Sequence, residues 1–66
     1  VTPRELAAAL RIALEGQEDN RILSVTIDVH HGRCEVVAWL TGIGSGDFEI
    51  RKNIDARQTY TYLETP

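Results

Sequence analysis

Two runs of alternating residues, divided by a His-Gly pair, constrain this chain more than anything else in it. Leu23, Val25, Ile27 and Val29 alternate with Ser24, Thr26, Asp28 and His30. Cys34, Val36, Ala38 and Leu40 alternate with Arg33, Glu35, Val37, Trp39 and Thr41. A period of two is that of a strand with one buried face. With His31-Gly32 as a two-residue turn, Val29 pairs with Cys34, Ile27 with Val36, Val25 with Ala38 and Leu23 with Leu40. Every apolar residue then meets an apolar residue, and a slip of one position destroys the match, so the register is well specified. A type I′ turn needs positive φ at both central positions. Gly adopts it freely and His is among the residues that tolerate it.

The start of the chain is equally legible. Thr2-Pro3-Arg4-Glu5 has the form of a capping box, with Pro at the first helical position. Val1 and Leu6 stand at the two positions of a hydrophobic staple. Leu6, Ala9, Leu10, Ala13 and Leu14 follow at helical spacing, and Gly16 suits a left-handed helix terminus. The pattern predicts a helix from Pro3 to Glu15, narrow and Ala-rich on its buried side, able to lie close to a sheet.

Gln17 to Arg21 reads as a loop. Thr41-Gly42-Ile43-Gly44-Ser45-Gly46-Asp47 reads as a hairpin loop, leading to a strand over Phe48 to Asn53 with Phe48 and Ile50 facing in. Asn53 to Arg57 is expected to turn, with a short helical turn beginning at Ile54 as the alternative. Gln58 to Glu64 is expected to form a last strand, with Tyr60 and Tyr62 on its inner side. The predicted fold is α+β over residues 1–66 as a single small domain. One N-terminal helix packs on one face of a four-stranded antiparallel β-meander (αββββ). In layout alone this is similar to double-stranded RNA-binding domains. Those carry a second, basic helix after the sheet, and none is expected here.

Sixty-six residues make a small domain, which buries only about 60% of the surface its unfolded chain exposes. Such scaffolds usually need a disulfide, a metal or a partner subunit. One cysteine, Cys34, allows no disulfide within the chain, and it suggests a reducing compartment. No apolar run approaches the roughly 18 residues of a membrane span, and the capped helix at the start is not expected to act as a signal peptide. A cytoplasmic protein without a membrane partner is expected. Ten acids against seven bases leave a net charge of −3, which disfavours general nucleic-acid binding. Six of the seven bases are Arg, and Ala is abundant; this composition suits a bacterial or phage chain of high GC content. Met is absent, so either the initiator was removed ahead of Val1 or the chain has been trimmed.

The segment Asp28-Val29-His30-His31-Gly32-Arg33-Cys34-Glu35 concentrates side chains of chemical interest. In the predicted hairpin Cys34 faces the core and His30 faces away, so they cannot share a metal. Asp28, His30 and Glu35 share the outer face, a sparse ligand set where structural metals want four donors. Asp28 directly opposes Glu35, a destabilising juxtaposition that a neighbouring Arg33 or Arg51 would offset. The glycine-rich loop joins two strands, unlike phosphate-binding loops that open a helix. Neither metal nor cofactor is expected.

The outer face carries Ser24, Thr26, Val37, Trp39, Glu49 and Arg51, joined by the tyrosines in the alternative in which they face outward. Trp39 points outward from a strand whose inward set is already complete. The favoured reading is a small non-catalytic protein-binding module, an adaptor or inhibitor, expected to be a homodimer. Its expected contact residues are Trp39, Val37, Ile43, Glu49 and Arg51. The second reading is nucleic-acid binding through Arg33, Arg51, Lys52 and Arg57 with an aromatic platform. The third is an enzyme built on Asp28, His30 and Glu35, for which a lone sheet on a helix offers little room.

Overall fold

The computed structural model describes residues 1–64. The elements run α1 (Pro3–Ala13), β1 (Arg21–His30), β2 (Arg33–Gly42), β3 (Gly46–Ile54) and α2 (Ala56–Glu64). The strands form one antiparallel sheet in the order β1-β2-β3. The class is α+β as expected, but the order is αβββα, and the expected fourth strand is a helix.

The N-terminal capping box is complete. Glu5 N–H donates to Thr2 Oγ1 at 3.2 Å, and Thr2 N–H donates to Glu5 Oε1 at 2.9 Å. The hydrogen bonds from Thr2 hold the Glu5 carboxyl below its ordinary value of 4.5. The helix closes two residues earlier than its apolar pattern suggests. Leu14 leaves helical geometry, and Glu15 N–H bonds back to Ile12 at 3.4 Å, a tightened last turn of the kind that satisfies terminal carbonyls. Gly16 takes a φ of +88° in the turn that follows.

The β1–β2 hairpin has the predicted register from Val25↔Ala38 through Val29↔Cys34. His31 and Gly32 both have positive φ, 50° and 75°, as a type I′ turn requires. At the other end the expected Leu23–Leu40 pair is replaced. Ile22 stands opposite Leu40, and a bulge falls between Ile22 and Ser24. The extra residue, Leu23, adds twist there, and it leaves both Ile22 and Leu23 about half exposed. Arg21, expected in the loop, joins the strand. β3 extends beyond its predicted bounds at both ends, and Gly42 pairs with Gly46 across a turn of Ile43, Gly44 and Ser45.

The core is built of small side chains. Ala9, Ala13, Cys34, Val36 and Ile54 form its buried cluster, with Leu6, Leu10, Ile12, Val25 and Ile27 packed against it. Leu40 and Val36 are the largest fully buried side chains. Alanines on α1 let its backbone approach β2 and β3 closely.

α2 packs chiefly against α1. Asp55 caps it with Gln58 in a second capping box. Thr59 is buried, its hydroxyl donating to Ala56 O at 2.9 Å, and Leu63 one turn later is half-buried. Tyr60 and Tyr62 therefore do not share an inward face. In a helix they diverge, and they are 64% and 41% exposed. Ile12, Arg57, Gln58, Thr61 and Tyr62 line one depression where the helices meet, which explains why α1 is apolar beyond its predicted stripe. The second helix removes one difference from the double-stranded RNA-binding layout, but Arg57 and Glu64 balance, so α2 is not basic.

Candidate functional site

Period-two alternation gives the sheet two distinct sides. Cys34, Val36, Ala38 and Leu40 are all buried on the inner side, where α1 packs. The outer side carries Ser24, Thr26 and Asp28 on β1, Glu35, Val37 and Trp39 on β2, and Glu49, Arg51 and Asn53 on β3. Ile54, Ala56 and Thr59 line the same crevice as inward-facing Cys34, so α2 also belongs to the inner side. The tyrosines lie with it and take no part in the outer face.

Four of the five expected contact residues form one block. Trp39 pairs with Ser24 on one side and Glu49 on the other, and Val37 pairs with Thr26 and Arg51. Trp39 is 44% exposed, so its neighbours cover only part of the ring, and Val37 is half-buried beside it. Arg51 borders them. Its Nη1 lies 3.3 Å from Glu35 Oε1 and its Nη2 lies 3.7 Å from Glu49 Oε1. These pairs are exposed and worth little in stability, but they tie the guanidinium to the two glutamates that neighbour it on the outer face. The fifth residue, Ile43, stands at the β2–β3 turn and is 97% exposed.

Asp28 does oppose Glu35, and Arg51 supplies the expected offset. Asp28, Val29, His30, Arg33, Glu35 and Asn53 line an open depression of about 440 Å³. Among the described residues no group of three His, Cys, Asp or Glu side chains is placed to hold a metal ion. His30 meets His31 edge-on, with ring centroids 4.2 Å apart, and that contact belongs to the turn. Cys34 is buried on the opposite side. The lining holds no Ser, Thr or Cys that a base could activate as a nucleophile.

The four bases considered for nucleic acid lie on three elements, β2, β3 and α2, with Arg51 and Lys52 on opposite sides of β3. Arg51 is engaged by two glutamates on the outer face. Lys52 is registered opposite inward-facing Val36, Arg33 stands beside the turn, and Arg57 is in the first turn of α2. No described helix is long and apolar enough to cross a membrane. Comparison with protein-family models, with curated proteins and with solved structures finds no match in any of the three.

Proposed function

We propose that this chain is a non-catalytic protein-binding module, an adaptor or inhibitor of a larger protein. Its contact face is the outer side of the sheet around Trp39. One observation carries this reading: Trp39 and Val37 form an apolar centre on a side of the sheet that neither helix packs against, and it is ringed by Ser24, Thr26, Glu49 and Arg51. An apolar, aromatic centre within a polar rim is the anatomy of a protein interface, and Trp is the residue most enriched at its energetic centre. Ile43 at the turn would extend the contact. A cytoplasmic, bacterial or phage-encoded protein suits the composition.

We propose a homodimer as its oligomeric state. Among the described residues the largest fully buried side chains are Leu40 and Val36, and a domain this small gains stability from a second subunit.

The test compares wild type and Trp39→Ala as bait in an extract of the source cell. A partner retained by wild type and lost with the variant, while both keep the same circular dichroism and melting profile, supports the reading. The same partner retained equally by both would remove the outer face from the account.

A further inference from the structure

We propose that a second copy of this chain pairs antiparallel with β1, joining two three-stranded sheets into one six-stranded sheet. The inference rests on the proposed homodimer and names its surface.

β1 and β3 are the two edges of the sheet, and they are built differently. Edges are normally protected by charge, proline, a bulge or inward-pointing charged residues, and of these β1 has only the bulge at Leu23, outside its regular stretch, and the charges of Arg21 and Asp28. β3 has Asp47, Glu49, Arg51 and Lys52, the last registered with inward-facing Val36. β1 has the sequence RILSVTIDVH, without Lys, Pro or Gly, and its formal charges are Arg21 and Asp28 alone. Its inner row is incompletely covered. α1 packs over β2 and β3, and while Val25 and Ile27 pack against the core, Ile22 and Val29 at the two ends of the row are each 51% exposed. The bulge at Leu23 restricts regular pairing to Ser24–His30, about 24 Å of strand at roughly 3.4 Å per residue.

That stretch is self-complementary. A two-fold axis normal to the sheet keeps inner side with inner side, so only residues of the same face can oppose one another. Centred on Ile27, the midpoint of the stretch, the pairs are Ile27 with Ile27, Val25 with Val29, Thr26 with Asp28 and Ser24 with His30. Apolar residues meet apolar residues, and no charge faces its like. Centring on Asp28 would oppose two carboxylates, which destabilises a sheet. Centring on Thr26 would use fewer of the regular positions. The hairpin geometry agrees: residues flanking a two-residue turn exchange hydrogen bonds, so alternation aims the N–H and C=O of Val25, Ile27 and Val29 at the free edge. The same axis sets both Trp39 patches on one side of the joined sheet.

The test is solution mass by light scattering on wild type and Val29→Lys, together with cross-linking. Val29 is exposed, so the variant should fold, and circular dichroism checks that it does. Wild type at dimer mass and Val29→Lys at monomer mass is the expected result. Oxidation of mixed Thr26→Cys and Asp28→Cys chains should give the mixed disulfide in excess over either self-disulfide, because only the mixed pair is directly opposed. A wild type that stays monomeric up to millimolar concentration overturns both the dimer and this surface. A dimer that Val29→Lys leaves intact, or self-disulfides in excess, overturns the β1 pairing and leaves a dimer on another surface.

Discussion

Gln58 N–H donates to Asp55 Oδ1 at 2.8 Å while Asp55 N–H donates to Gln58 Oε1 at 3.0 Å. This reciprocal pair turns the end of β3 into α2. Asp55→Ala should cost about 1 kcal/mol, the usual value of an N-cap, and lower the midpoint by about 4–8 °C for a domain of this size. Asp55→Asn should keep most of that stability. Thermal melts of the three proteins check it; equal midpoints would detach the cap from the fold's stability.

Gly32 tests the hairpin from its backbone alone. Its φ is +75°, and a Cβ added there would meet no atom within 4 Å. The Cβ of Gly32→Val thus meets open space, and the cost is chiefly conformational, about 1–2 kcal/mol for left-handed geometry and more for a β-branched side chain. Chemical denaturation should show a lower midpoint with an unchanged slope.

The α1 cap should be sensitive to acid. Glu5 titrates below its ordinary value of 4.5 because Thr2 donates to its ionised form. A lowered folded-state pKa contributes stability that is present above the unfolded value and lost as pH falls through the folded one. The midpoint difference between wild type and Glu5→Gln should thus be larger at pH 7 and shrink below about pH 4.5, the window set by the ordinary value. Parallel melting curves across that range would contradict this.

Cys34 is 2% exposed on the inner side of the sheet. A buried cysteine behaves as a small hydrophobe, so a thiol reagent should modify it only through opening of the fold. The rate should rise with denaturant in step with unfolding; rapid stoichiometric labelling in buffer would contradict the packing.

The hairpin and the first helix were legible because several signals agreed: alternation, turn chemistry and capping all pointed one way. The bulge at Leu23 was not, since Ile22 and Leu23 are equally apolar and either can face Leu40. The last segment is a helix where its residue types suggest a strand, for a definite reason. Thr59, Tyr60, Thr61 and Tyr62 are strand-prone by type and alternate by size, but such propensity is weak against context. The Asp55-x-x-Gln58 signature of a helix start was present, and Thr59 and Leu63 stand four apart as an inner helical face requires. The outward position of Trp39 is legible because the inner row of β2 is complete without it.

Trp39→Ala should leave the fold nearly intact, losing much less than the 3–5 kcal/mol typical of a truncated core aromatic. The same ring offers the most direct test of the central claim, because it is the sole tryptophan. Labelled with 5-fluorotryptophan, the chain gives one fluorine resonance. On addition of the captured partner that resonance should shift and lose its sensitivity to solvent isotope, because the outer face has been covered. A complex that forms by mass while the resonance stays at its free position, still sensitive to solvent isotope, would show that the partner binds elsewhere and would contradict the account.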